Sequence, residues 1–214
     1  MSGIVVCGVG ACSSLGTSAL ETGLLYRTGM PGLGPCPLDD PDGNPLSMGA
    51  LPVLPATSLG IDRLLELTRF AFADLHTDAL AHLSGARQRI SVLVDEHLAA
   101  PDADGVVGAQ VLSSALQSDT RAFVGNDCPI DVWAVGAGGG APVLANLCQD
   151  LHSGARDVVL FGGVHSDCDV GRVAHLARAG RIFSSENKDG LLLGEGAAFV
   201  ALCRSDVARQ LGLT

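Results

Sequence analysis

The chain is poor in positive charge and has no long apolar run. Its 214 residues carry 13 Lys+Arg against 23 Asp+Glu, a formal net charge of -10. Surfaces that follow nucleic-acid phosphates or anionic membranes need clustered cations, so neither partner is expected. The amino terminus, MSGIVVCGVG, has no basic region and no long apolar span. No signal peptide or membrane segment is therefore expected, and the compartment that fits is the cytoplasm. No CxxC pair occurs, and the seven cysteines are odd in number and irregularly spaced. They read as reduced thiols rather than as a disulfide framework or a zinc site, with no metal and no cofactor expected. Internal repeats are absent as well. A dinucleotide site is excluded at Gly8-Val9-Gly10-Ala11, which lacks the third glycine of GxGxxG and an acidic residue about 20 positions on. That segment reads as a tight strand-to-loop turn.

What the chain does have is hydrophobic content, 47% against 17% charged residues, enough for a large buried core in a single domain over residues 1–214. Strand and helix patterns alternate. Gly3 to Cys7 reads as a buried strand and Ser18 to Arg27 as a short helix. Gly60 to Leu83 has Leu64, Leu67, Ala71, Leu75 and Ala79 at helical spacing. Residues 29 to 55 hold seven of the ten prolines, so regular structure there should be brief. Ile90 to Val94 reads as a second strand, Val106 to Leu116 as a helix, Ile130 to Val135 as a third strand and Asp157 to Gly163 as a fourth. Gly196 to Leu202 is a fifth, followed by a terminal helix over Arg204 to Leu211. Such alternation implies an α/β fold, a largely parallel sheet with helices on both faces.

The third strand runs into Gly136-Ala137-Gly138-Gly139-Gly140, and a helical pattern then carries Leu144, Leu147, Cys148 and Leu151 to Ser153-Gly154. A strand, an elbow and a helix can hold a nucleophile at the helix amino end, where unpaired N–H groups and the helix dipole favour developing negative charge. Here the elbow holds alanine.

Three segments in order, IVVCGVGACSSLG, LCQDLHSGARDVVLFGGV with the elbow before it, and NKDGLLLGEGAAFVAL, resemble the amino-terminal half of a beta-ketoacyl synthase of the thiolase superfamily. The resemblance implies a three-layer α/β/α unit with a five-stranded mixed sheet of order 3-2-1-4-5, its fifth strand antiparallel. It places the family's nucleophilic cysteine at Ala137, with Gly138, Gly139 and Gly140 completing a degenerate elbow. It assigns the two histidines of the reaction to the family's other half.

Other candidate groups read as structural. Cys148 falls in mid-helix and Cys128 precedes the third strand, so neither occupies the turn. His165-Ser166-Asp167-Cys168-Asp169 packs three ligand types into five residues, yet strand-end side chains alternate in direction and no second cluster completes a metal site, so a solvated loop is expected. The carboxylate of Gly194-Glu195-Gly196 reads as a paired core group.

The resemblance, without the cysteine, implies a thiolase-like pseudoenzyme acting as a binding or adaptor protein. Short thiolase-like proteins of this sort resemble accessory proteins of bacterial type VI secretion effector loading. The alternative is one half of a split synthase or malonyl-thioester decarboxylase, its histidines on another chain. In the full family the elbow helix packs on its counterpart from the other half, so a homodimer or another protein chain is expected to cover it. The expected interface comprises Trp133, Val143, Leu144, Leu147 and Leu151.

Overall fold

Strand β4 (Gln88–Val94) shows how the sequence pattern builds the layers. Ile90, Val92 and Val94 are buried on one face, while Arg89, Ser91 and Leu93 alternate onto the other. A computed structural model describes residues 3–40, 43–78, 85–101, 105–124, 128–184 and 187–213. In chain order the remaining elements are β1 (Ile4–Ser13), α1 (Ala19–Arg27), β2 (Gly34–Asp39), β3 (Pro45–Gly49), α2 (Gly60–Asp78), α3 (Gly108–Val124), β5 (Ile130–Ala134), α4 (Gly140–His152), β6 (Val158–Ser166), α5 (Val170–Arg178), β7 (Leu193–Arg204) and α6 (Ser205–Leu211).

The main core lies between one sheet face and helices α2, α3 and α6. Leu64, Leu67, Ala71 and Leu75 line the buried side of α2, the spacing read from the sequence. Ala79 and the expected helix end at Leu83 lie outside the described residues. Across the sheet, α4 sets Val143, Leu147 and Leu151 on Val159 and Leu202. A smaller cluster joins α5 to β3 and the start of β7 through Met48, Cys168, Leu176 and Leu193. The layering is thus the expected α/β/α.

The strand order differs from the expected 3-2-1-4-5. Across the sheet the strands lie β5-β4-β6-β7-β1, with β3 and then β2 continuing from the start of β7. The second and fourth strands of the sequence reading, β4 and β6, pair directly (Ile90 with Leu160), and the first strand lies at an edge instead of the centre. The physical reason is the reach of β7. It pairs antiparallel with β6 from Glu195 to Cys203 and antiparallel with β1 from Gly196 to Arg204, so it is inserted between two mutually parallel strands. Alternation along the chain cannot encode which apolar strand fills that slot, because β1 and β6 are equally glycine-containing and apolar. The fifth strand is antiparallel to its long neighbours, as expected.

Three further corrections, in β1, α3 and α5, concern local structure, while the proline-rich stretch holds only brief regular structure, as expected. Gly8 to Ala11 is no turn: β1 runs on to Ser13, with a register shift between Val6 and Gly8. Gly10 permits this because α2 crosses so closely that a Cβ there would overlap the carbonyl oxygen of Ala71. In the proline-rich stretch a short antiparallel hairpin, β2–β3, forms. Helix α3 continues past the expected Leu116 to Val124, and α5, unread in the sequence, starts at the Asp169 cap, whose carboxylate accepts from the Arg172 N–H at 2.8 Å.

Candidate functional site

The elbow closes β5 onto α4. Gly136 adopts φ 61° and ψ −171°, a conformation essentially confined to glycine, and its N–H donates to the Val94 carbonyl at 3.1 Å. Ala137–Gly139 forms a single 3-10 turn, and α4 begins at Gly140. The sequence-read elbow is therefore present as backbone, with its N–H groups at the amino end of a 13-residue helix.

In front of it lies a cleft of about 660 Å³ at the carboxyl ends of β4 and β6. Leu93, Gly136, Gly163, Ala11 and Ala198 give it an apolar wall. Cys12 borders it, but its thiol donates to the Leu67 carbonyl at 3.3 Å, on the α2 side of the sheet. Burial pushes that thiol up to about 11. The same desolvation raises Cys168 and Cys128 to about 11 and Cys7 to about 12. A thiol held neutral is a poor nucleophile.

Asp95 and His165, on the polar rim of the cleft, belong to an ion-pair network assembled from three elements. Asp95 follows β4, His165 ends β6 and Arg172 lies in α5. His165 Nε2 lies 3.2 Å from Asp167 Oδ1, and its Nδ1 faces Asp95 Oδ2 at 3.9 Å. Arg172 reaches both carboxylates, at 3.5 and 3.3 Å, and His97 lies 2.9 Å from Asp95. The hydrogen bond to Asp167 raises the His165 pKa against the opposing effect of burial. Burial pushes Asp167 up, but His165, the Gly194 N–H and Arg172 outweigh it and hold the carboxyl below its usual range. With its nitrogens turned to two carboxylates, the imidazole is biased toward its protonated form.

The expected solvated loop at His165 to Asp169 is corrected by this arrangement. Ser166, Asp167 and Cys168 are buried, since β6 extends into the segment and α5 packs over it. Among the described residues no group of three or more His, Cys, Asp or Glu side chains is placed to hold a metal ion. Glu195 is a paired core carboxylate. Arg63 binds it through two nitrogens, and the Leu51 N–H and Ser166 hydroxyl donate to it at 2.7 and 2.8 Å. Cys148 sits half-buried in mid-helix and Cys128 just before β5, both away from the turn.

The residues expected to face a partner are largely spent within the chain. Val143, Leu147 and Leu151 recur at i, i+4 and i+8 as one stripe and are buried against the sheet; Trp133 and Leu144 pack partly on the same cluster. The outer side of α4 shows Ala141, Pro142, Asn146 and Gln149, so the helix itself is one-sided. Exposed apolar side chains occur on the sheet and α1 and also elsewhere, among them Val53, Val170 and Leu192. Val6 and Val9 of β1 are 58% and 45% exposed, beside exposed Ala198, and α1 has no buried residue, with Leu20 and Tyr26 at 73% and 75%. Sequence reasoning missed Asp95 and Arg172. The sole local signal for Asp95 was an acidic residue ending a strand, and for Arg172 the Asp169 cap three residues before it.

Residues 132–208 match the family model described as Beta-ketoacyl synthase, N-terminal domain. No curated protein matches the chain. Solved structures share its fold throughout. A type II PKS ketosynthase, solved in complex with its acyl-carrier protein and bound to the hexaketide, superimposes with a TM-score of 0.73 at 16% identity, covering 99% of this chain and 60% of that one. The ishigamide ketosynthase/chain length factor gives 0.68 at 20%, covering 99% and 60%. The oxazolomycin ketosynthase domain of Streptomyces albus JA3453 gives 0.69 at 17%, covering 97% and 44%. The described chain thus has the thiolase-like fold of ketosynthases and spans about 60% of the length of the first of these relatives.

Proposed function

We propose that this chain is a non-catalytic, ketosynthase-like binding protein, an adaptor that holds another protein chain against the apolar side of its sheet. The observation that carries the reading is the elbow. Its backbone is kept, with glycine at the one position whose conformation demands it, while the nucleophile position is Ala137 and Cys12 turns its sulfur away from the cleft. Covalent acyl transfer needs a nucleophile at the helix amino end. Val6, Val9 and Ala198, next to the exposed α1, offer a contiguous apolar surface of the kind that protein partners cover. A second copy of the chain is the first partner to test. Loading of type VI secretion effectors in a bacterial cytoplasm is the context suggested by short thiolase-like proteins, and co-isolation with such an effector tests it.

Light scattering and partner recovery from native lysate should compare the wild type with Val9→Asp. The adaptor reading expects a complex that Val9→Asp weakens at least tenfold. A monomer whose partner recovery is unchanged by the substitution overturns it. Turnover of a malonyl thioester by the chain, alone or with a histidine-bearing half, would instead establish the split-enzyme alternative.

A further inference from the structure

Helices α2, α3 and α6 pack on one face of the sheet, whereas α4 covers the other face only in part. Val6 pairs with Leu202 and Val9 with Val200, and directly opposite residues of antiparallel strands share a face. Leu202 and Val200 belong to the cluster under α4, so Val6 and Val9 lie on that face too, beside the helix instead of beneath it. Both are exposed, as is Ala198, which pairs with Ala11. Strands β7 and β1 thus leave a bare strip next to α4, two strands or roughly 10 Å wide, which is about the diameter of a helix. The strip is uncharged from Ile4 to Ser13 on β1 and from Gly196 to Cys203 on β7.

The flank of α4 on this side is open as well. Its polar flank, Asn146, Gln149 and Asp150, turns to Arg89 and Trp133 near the β5 edge. The opposite flank carries Ala141, Leu144, Ala145 and Cys148, none of them fully buried and none charged. We infer that α4 of a second copy fills the strip, in an isologous dimer whose two α4 helices lie side by side between the two sheets. The dimer rests on the docking surface proposed above and gives it an occupant. A twofold contact needs one patch that complements itself. Here the strip and a helix that fits it stand next to each other on one molecule, so each copy's α4 covers the other's strip. The small side chains at Ala141, Ala145 and Cys148 let the two helices approach to the usual 8–10 Å between axes. Two chains of net charge -10 repel, and an uncharged face is where they meet without placing like charges in contact. The total surface agrees with a missing cover. The chain exposes 11008 Å² at 21.8 kDa, against about 9,300 Å² for a folded monomer of that mass. The excess of roughly 1,700 Å² is of the size that an obligate interface removes from each partner, about 1,000–2,500 Å².

Light scattering over a concentration series should give a dimer for the wild type. Val9→Asp and Ala145→Lys should each weaken self-association at least tenfold, whereas Glu66→Lys, on α2 across the sheet, should leave it unchanged. An equimolar mixture of Val9→Asp and Ala145→Lys should dimerise again. In the mixed pair the new aspartate of one copy meets the new lysine of the other, and the second, equivalent contact keeps its original residues. Ala145 is exposed on its helix, so Ala145→Lys decides alone should Val9→Asp unfold the chain. A monomeric wild type overturns the inference, as does a dimer that Ala145→Lys leaves intact or a mixture of two folded variants that stays monomeric. A monomer whose recovery of another protein from native lysate is weakened by Val9→Asp sinks the dimer and keeps the docking surface; a monomer whose recovery is unchanged sinks both.

Discussion

Arg63 and Glu195 form a fully buried ion pair, with side-chain exposures of 1% and 0% and an NH2–Oε1 distance of 2.8 Å. The pair ties the start of α2 to the start of β7, and the two Nη1 N–H groups go to the Pro55 and Ser58 carbonyls, both at 3.1 Å. Removing one partner leaves a desolvated charge with nothing to offset it. Glu195→Gln should therefore cost about 3–5 kcal/mol of unfolding free energy. Urea titration measures this, and a loss below about 1 kcal/mol would show that the pair is not desolvated in solution.

The His165–Asp167 contact predicts a definite pH dependence. His165 is raised, so it adds stability that is complete below its unfolded pKa of about 6.5 and lost as pH rises through its folded value. Asp167 is lowered, so its contribution is complete above about 3.9 and lost as pH falls through its folded value. Both act together between about pH 4 and 6.5. The stability difference between wild type and His165→Gln should be largest near pH 5 to 6 and shrink toward pH 9. A difference that stays constant across that range contradicts the network.

Thiol chemistry should be sluggish and misplaced. With Cys12, Cys128 and Cys168 at about 11 and Cys7 at about 12, the thiolate fraction at pH 7.5 is below about one in a thousand. Iodoacetamide should modify these four much more slowly than a free cysteine peptide. Incubation with acyl thioesters should leave residues 134 to 140 unmodified by mass spectrometry, and an adduct there would mean that the nucleophile position is misread.

The crossing of α2 over β1 depends on Gly10. A Cβ there would lie 2.2 Å from the Ala71 carbonyl oxygen and 2.7 Å from the Leu75 Cβ. Neither can yield without moving the helix, so Gly10→Ala should destabilise by about 1–3 kcal/mol or more, like other overpacked cores. Unchanged thermal unfolding would show that α2 sits further from the sheet than described.

Local physics in the sequence determined much of the fold. The period of Leu64, Leu67, Ala71 and Leu75 made α2 amphipathic, and the apolar runs at Ile90, Val158 and Phe199 made buried strands. The glycine run after Trp133 placed the elbow. The absence of a thiol there was also plain, because it depends only on which residue stands at 137. Tertiary structure decided what depends on residues distant in the chain. β7 separates β6 from β1 because of backbone pairing with segments about 40 and 190 residues away, which no local pattern records. Asp95, His165 and Arg172 converge only because β4 and β6 end beside the start of α5. The stripe of Val143, Leu147 and Leu151 on α4 is likewise buried by Val159 and Leu202 of a sheet whose strands come from distant parts of the chain.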